Sequence, residues 1–288
     1  MNRKVDIILK SKPTLEGAGV HLKRAFGSYE APRLDPFLLL DDFHSDNPAD
    51  YIAGFPWHPH RGIETVTYML EGFVEHGDSM RNKGVIFPGD VQWMTAGSGI
   101  IHQEMPKGYN GHMWGFQLWV NLPSTHKMME PRYREVKKEH IPVVIVDKDV
   151  KIRVICGVFG DTKGPVRDIV VDPEYLDITM AHDAEFEHGI KRGYKSFAYV
   201  IEGDGYFDSE KEKSTGNEHL VIFKDGDKVN IKAGEKGLRF LLISGKPLGE
   251  PVAWAGPIVM NTQEELDLAY REYRNGTFIK YKNADLKK

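Results

Sequence analysis

The sequence predicts an all-β protein built as two tandem antiparallel β-barrels followed by one C-terminal α-helix, and three observations predict it. Short β-branched and aromatic runs at 65–70, 91–95 and 114–120 are punctuated by turn signals such as Glu71-Gly72 and Phe87-Pro88-Gly89-Asp90. Helical periodicity is almost absent before residue 123. The second half also repeats the first. Tyr68, Glu71 and Gly72 recur at the same spacing as Tyr199, Glu202 and Gly203, and the Phe87–Asp90 turn recurs as Phe223–Asp227. Two copies of one unit imply two barrels, which the sequence divides at 1–135 and 136–288.

The elements follow in order. Residues 5–10 alternate and predict a strand; Pro13, Gly17 and Gly19 turn the chain into a second strand at 20–25. The stretch from Asp35 to Leu40 is too apolar for a surface loop and is expected to enter the core, followed by a polar loop over 41–51 whose Asp42, Asp46 and Asp50 are given no role. After the first set of barrel strands, 123–134 reads as a short helical or irregular link. Near the end, Thr262 and Glu265 form a capping-box pattern, with Leu266, Ala269, Tyr270 and Tyr273 at helical spacing until Asn275-Gly276. This helix is expected to pack on a barrel.

The chemistry concentrates between Trp57 and Pro106. In a strand alternate side chains share a face, so His58 and His60 form one pair and His102 and Glu104 another. A bare His-x-His is a weak signal in a chain with 12 histidines. It is strengthened by Gly97-Ser98-Gly99, a sharp turn placed just before the strand that carries His102. Two such pairs meeting across a barrel give three imidazoles and one carboxylate, a set suited to iron(II), nickel, copper or zinc with coordination positions left open. Phe55, Trp57, Trp93, Met94 and Phe116 are candidates for a flat apolar wall beside it. Counting from the shared glycines and turns sets Gly189, Lys191, Arg239 and Leu241 against the four ligands, so the second barrel is expected to bind no metal, and His182, His188 and His219 to be ordinary surface residues.

Longer runs resemble the pirin family of bicupins. They are His58–Tyr68, Gln92–Pro106, Gln117–Leu122 and Gly256–Thr262, with Leu34–Leu40 and Glu130–Tyr133 in support, so the resemblance covers essentially the whole chain. It implies two cupin (jelly-roll) barrels. It implies one divalent metal per chain, iron(II) first, with copper, nickel, cobalt, manganese or zinc as alternatives, held by His58, His60, His102 and Glu104. Glu64 stands where the general cupin pattern places a ligand. Four strand residues span about 13 Å, so without a bulge at Arg61-Gly62 His60 and Glu64 cannot reach one ion; Glu64 is read as a supporting residue that orients Arg61 or a ligand histidine. The resemblance further implies cleavage of a flavonol such as quercetin by dioxygen, with Glu104 as the catalytic proton acceptor. Its alternative implication is a non-enzymatic, iron-dependent redox regulator that binds a transcription factor or a metabolic enzyme.

Composition bounds the rest. A hydrophobic fraction of 41% and a charged fraction of 28% are those of a globular chain, and a formal net charge of -4 gives no basic footprint for direct nucleic-acid binding. No stretch approaches membrane-spanning length, and the short apolar run at the amino terminus does not read as a signal peptide. The single cysteine, Cys156, excludes an intrachain disulfide, reads as an inert residue in a buried strand, and suits a reducing compartment. The expectation is a cytoplasmic monomer, with a nuclear location also compatible if the source is eukaryotic.

Overall fold

The computed structural model describes residues 1–107, 111–208 and 213–281. Most of them lie in strands, and the chain divides into two units. One unit comprises Pro13–Arg24, Phe37–Lys138 and the chain from Gly249 on; the other comprises Met1–Lys12, Ala25–Pro36 and Glu139–Leu248. The divide in mid-chain falls close to residue 135, but each terminus joins the unit made by the other half. A six-residue alternation at Val5–Lys10 marks a strand without saying which sheet it joins, and here it pairs antiparallel with His219–Phe223. Arg3 anchors that segment, its buried guanidinium donating to the carbonyls of Lys191, Tyr194 and Lys224.

The unit that holds His58 sets a seven-stranded sheet against a four-stranded one. The larger runs Arg132–Val136, Val91–Thr95, Ile63–Glu71, Met113–Asn121, Phe37–Ser45, Val20–Phe26, Lys12–Glu16; the smaller runs Phe55–His60, Ile100–Lys107, Phe73–Asp78, Lys83–Ile86. Side chains from the two sheets meet between them. Val20, Leu22, Phe43, Tyr51, Met69 and Val74 belong to one continuous apolar cluster there. On Ile63–Glu71 the residue two before Met69 is Thr67, so the same inward face passes from apolar to polar toward the candidate ligands.

One expectation needs correction here. Asp41 and Asp42 are not loop residues: the strand Phe37–Ser45 runs through them and buries both. Asp41 is gripped through two oxygens by Arg24 at 2.8 Å, and Asp42 accepts from the Trp114 indole at 3.1 Å; partners so distant in sequence make buried carboxylates read as a polar loop. Burial pushes the Asp41 carboxyl up to about 6 against the pull of Arg24. A four-residue helix, Ala31–Leu34, also precedes residue 123.

The C-terminal helix spans Gln263–Arg274, and Thr262 and Glu265 close the capping box in both directions. Its buried Leu266 and Ala269 cluster with Ile258, Met260 and Phe278, and the segment docks on the His58 unit through Arg61. The guanidinium of Arg61 is fully buried, pairs with Glu272 at 2.8 Å, donates to the Phe278 carbonyl at 2.8 Å and lies 4.2 Å from the centre of the Phe278 ring. Lys127 adds a second buried cation, spending its three N–H groups on Gly62 O, Asn121 Oδ1 and Val259 O. Gly62 has φ +78°, and a Cβ there would sit 1.9 Å from Val259 O, so this close approach requires glycine.

The other unit is a nine-stranded sheet built around Lys195–Tyr206 and the 18-residue Lys228–Gly245. Its interior is apolar, with Ile152, Ile178, Phe186, Val229, Ile231 and Phe240 in one cluster. Cys156 is buried in a strand, its Sγ 3.4 Å from the carbonyls of Val166 and Pro173. Among the described residues no helix is long and apolar enough to cross a membrane.

Candidate metal centre

The strands Phe55–His60 and Ile100–Lys107 pair antiparallel with His102 directly opposite His58 and Ile100 opposite His60. Opposite residues of a pair share a face, so alternation within each strand and register between them bring three imidazoles together. Their ring nitrogens lie within 4.8 Å of one another, and no other group of three or more histidines, cysteines or carboxylates among the described residues is close enough to hold an ion. His60 and His102 are fully buried and His58 half-buried.

Hydrogen bonds aim the rings. His58 Nδ1 lies 2.9 Å from Pro56 O and His60 Nδ1 lies 3.0 Å from Pro257 O, so in each ring Nδ1 carries the proton and Nε2 carries the lone pair. The two Nε2 atoms then face each other at 3.1 Å. Two lone pairs at that separation repel unless a cation lies between them. Burial pulls both rings below the ordinary imidazole range, His60 well below, which disfavours a proton in that position. His102 is also pulled well below that range by burial and by its neighbours His60, His58 and His76, and neither of its nitrogens has a hydrogen-bond partner in the protein. Convergent, and with their charged forms disfavoured, the three rings fit a divalent transition metal bound through nitrogen.

Glu104 lies outside this trio of nitrogens, one alternation beyond His102 after a break in the register with Phe55–His60. Burial pushes its carboxyl up, while Thr67 and Gln117 hold it down. Thr67 Oγ1 is 2.8 Å from Oε1, and Gln117 Nε2 donates to Oε2 at 3.1 Å. Glu64 lies on the opposite face of its strand from Thr67, where it accepts from Thr95 Oγ1 at 2.6 Å. It does not orient Arg61, whose partners are Glu272 and Phe278.

Of the proposed aromatic wall, Trp93 and Phe116 are neighbours of the inward Gln92 and Gln117, and so point to the other face of the sheet. Trp119, two residues from Gln117, was missed; it meets the His60 ring at 5.0 Å, and its alternation with Gln117 was the available signal. His188 is also no surface residue. Its side chain is 10% exposed, pairs with Glu174 at 2.7 Å and stacks against Phe159. The other unit's counterpart of Ile100–Lys107 is the stretch that pairs with Glu185–Gly189, namely Lys228–Lys232, rather than the region of Arg239 and Leu241. The turn used for counting did not anticipate one continuous strand from Lys228 to Gly245.

Comparison with known proteins decides the family. The sequence matches the family description "Pirin" over residues 19–120 and "Pirin C-terminal cupin domain" over residues 175–279. The chain belongs to the pirin family. A pirin-like protein of Caulobacter vibrioides is 44% identical over 272 residues, 94% of this chain and 97% of that protein. Pirin-1 of Arabidopsis thaliana is 43% identical, over 90% of this chain and 89% of that one. Among solved structures, a quercetin 2,3-dioxygenase from Acinetobacter baumannii superposes with a TM-score of 0.88 at 30% identity, covering 96% of this chain and 99% of that one. The architecture is accordingly that of two pirin cupin domains with one C-terminal helix of three turns.

Proposed function

We propose that this pirin-family chain is a metal-dependent dioxygenase of the quercetin 2,3-dioxygenase type, with His58, His60, His102 and Glu104 as the ligands of one divalent ion, iron(II) first. The observation that carries the reading is the pair of His58 and His60 lone pairs facing each other beside an unpartnered His102. The likeness to the Acinetobacter baumannii enzyme supplies the substrate class, a flavonol, together with dioxygen. When bound, a redox-active ion would supply a site for the ionised substrate oxygen and a route for electron density to dioxygen.

The protein's own part is to orient, shield and move a proton. Pro56 and Pro257 carbonyls fix the tautomers of His58 and His60. Glu104, made more basic by burial, is the proposed acceptor of the flavonol 3-hydroxyl proton. Thr67 Oγ1 stands 2.8 Å from Glu104 Oε1 and 2.7 Å from Gln117 Oε1, with one proton to give. With Glu104 ionised, Thr67 donates to it. With Glu104 protonated, Glu104 donates to Thr67 and Thr67 turns its proton to Gln117. Rotation of one hydroxyl therefore keeps Thr67 paired with Glu104 in both protonation states, and Gln117 Oε1 gains the Thr67 proton only when Glu104 is protonated.

The test is oxygen consumption and carbon monoxide release with quercetin by protein loaded separately with iron, copper and zinc. Turnover is expected with the first two and flavonol binding alone with zinc, which lacks an accessible redox couple. If loaded protein neither consumes oxygen nor shifts the quercetin absorption band, the enzymatic reading falls and the redox-dependent regulator takes its place.

A further inference from the structure

His76 sits on Phe73–Asp78, the strand on the far side of Ile100–Lys107 from His58 and His60, directly opposite Glu104. It therefore shares the inward face of the small sheet with Glu104 and His102. The ring is 4% exposed, and neither Nδ1 nor Nε2 has a partner in the protein. One face stacks on Tyr133 of the opposite sheet, with centroids 4.6 Å apart and planes at 15°. Tyr133 Oη is engaged by Gln92 Nε2 at 2.9 Å, so the tyrosine is fixed while the histidine's polar edge is not. Across the ladder, on the side away from Glu104, stands Gly84, where a Cβ would lie 3.4 Å from Cδ2 and Nε2 and 3.5 Å from Glu135 Oε2, so that side is bounded by Glu135 and the side toward Glu104 is the one left for a ligand.

A neutral imidazole carries one N–H and one lone pair, and a buried polar group is ordinarily paired. Stacking on Tyr133 accounts for the ring but not for its nitrogens, since phenylalanine would stack as well. Two strand spacings, about 10 Å, separate His76 from the strand of His58 and His60. A flat fused-ring molecule whose oxygen pair faces the three histidines would carry its remaining hydroxyls across Glu104 toward His76.

We propose that His76 is a substrate-binding residue that hydrogen-bonds a ring hydroxyl of the bound aromatic, one distinct from the oxygen pair that faces the histidine trio. This rests on the flavonol reading above and deepens it: the site selects polyhydroxylated flavonols over those bearing the 3-hydroxyl alone.

The experiment measures binding of quercetin and of 3-hydroxyflavone to zinc-loaded protein by absorption titration, with metal content and thermal unfolding recorded for each variant. Wild type is expected to prefer quercetin by about tenfold. His76→Phe, which keeps the stack, is expected to lose that preference while holding 3-hydroxyflavone affinity within about twofold, and His76→Gln to recover part of it. His76→Leu is measured in parallel, so that a phenylalanine too large for the site does not decide the result. An unchanged preference in a folded, metal-replete variant overturns the assignment of His76 and leaves the flavonol reading standing. Equal affinity of the wild type for the two flavonols also overturns it. If wild type binds neither flavonol, the functional reading falls and this inference falls with it.

Discussion

The two units use one ladder for opposite purposes. In each, a long central strand is preceded by a short one that pairs antiparallel with a distant stretch: Phe55–His60 with Ile100–Lys107, and Glu185–Gly189 with Lys228–Lys232. On the first ladder His58 faces His102; on the second Phe186 faces Ile231 and His188 faces Val229. His188 has Glu174 at 2.7 Å, whereas neither nitrogen of His102 has a hydrogen-bond partner in the protein. A barrel interior is cheapest to fill with apolar side chains, as the second unit does, and a buried polar group left unpaired costs about 1–3 kcal/mol. The first unit carries that cost at His102 and at His76, and the difference marks where a ligand belongs.

The comparison breaks most completely at His102. His102→Phe makes the first ladder resemble the second, and elemental analysis should fall from about one ion per chain to below about a tenth, with turnover lost. A variant that keeps a stoichiometric ion refutes the assignment. Next, Glu104→Gln should retain most of the metal and lose about 10²- to 10⁴-fold in kcat, since an amide accepts no proton. Glu64→Gln, on the opposite face, should change kcat by less than about tenfold. Metal loss from the Glu64 variant alone would reverse the two roles.

Arg61→Met tests the docking of the C-terminal segment. Removing one partner from the pair with Glu272 should cost about 3–5 kcal/mol in denaturant unfolding, and loosening Pro257 behind His60 should weaken the metal by about tenfold. Unchanged metal affinity would show that the segment stabilises the unit without holding the site. A further effect is that of pH on metal-free protein. Burial holds His60 and His102 below their ordinary value, so below about pH 6.5 the unfolded chain takes up protons that the native one does not. Stability should therefore fall as pH drops through that value, by about 1.4 kcal/mol per pH unit for each ring, until the native rings themselves titrate. Denaturant midpoints between pH 7.5 and 5 read this, and a flat profile would mean that the rings charge in place.

How much of this was legible varied with the distance over which each group finds its partner. The convergence of His58, His60 and His102 could be read because alternation within a few residues places each pair on one face, and the capping box at Thr262 is equally local. Asp41 misled because its partner, Arg24, is 17 residues away. His76 lay in plain view between Glu75 and Gly77, but only pairing with Glu104 and stacking on Tyr133 give it a setting. The exchanged termini left no local trace, since an amphipathic strand or helix advertises a buried face without naming what covers it.

The bond from His60 to Pro257 O spans 197 positions of the chain. During synthesis the ring emerges long before the carbonyl that fixes its tautomer, and at about 5–20 residues per second the gap lasts roughly 10–40 s. His58, by contrast, finds its carbonyl two residues back and is oriented at once. Assembly of the proposed centre would thus be timed by translation: an ion captured by the nascent chain would meet an unfixed His60, and the ring would be fixed only when the last seventh of the protein has folded onto the first barrel.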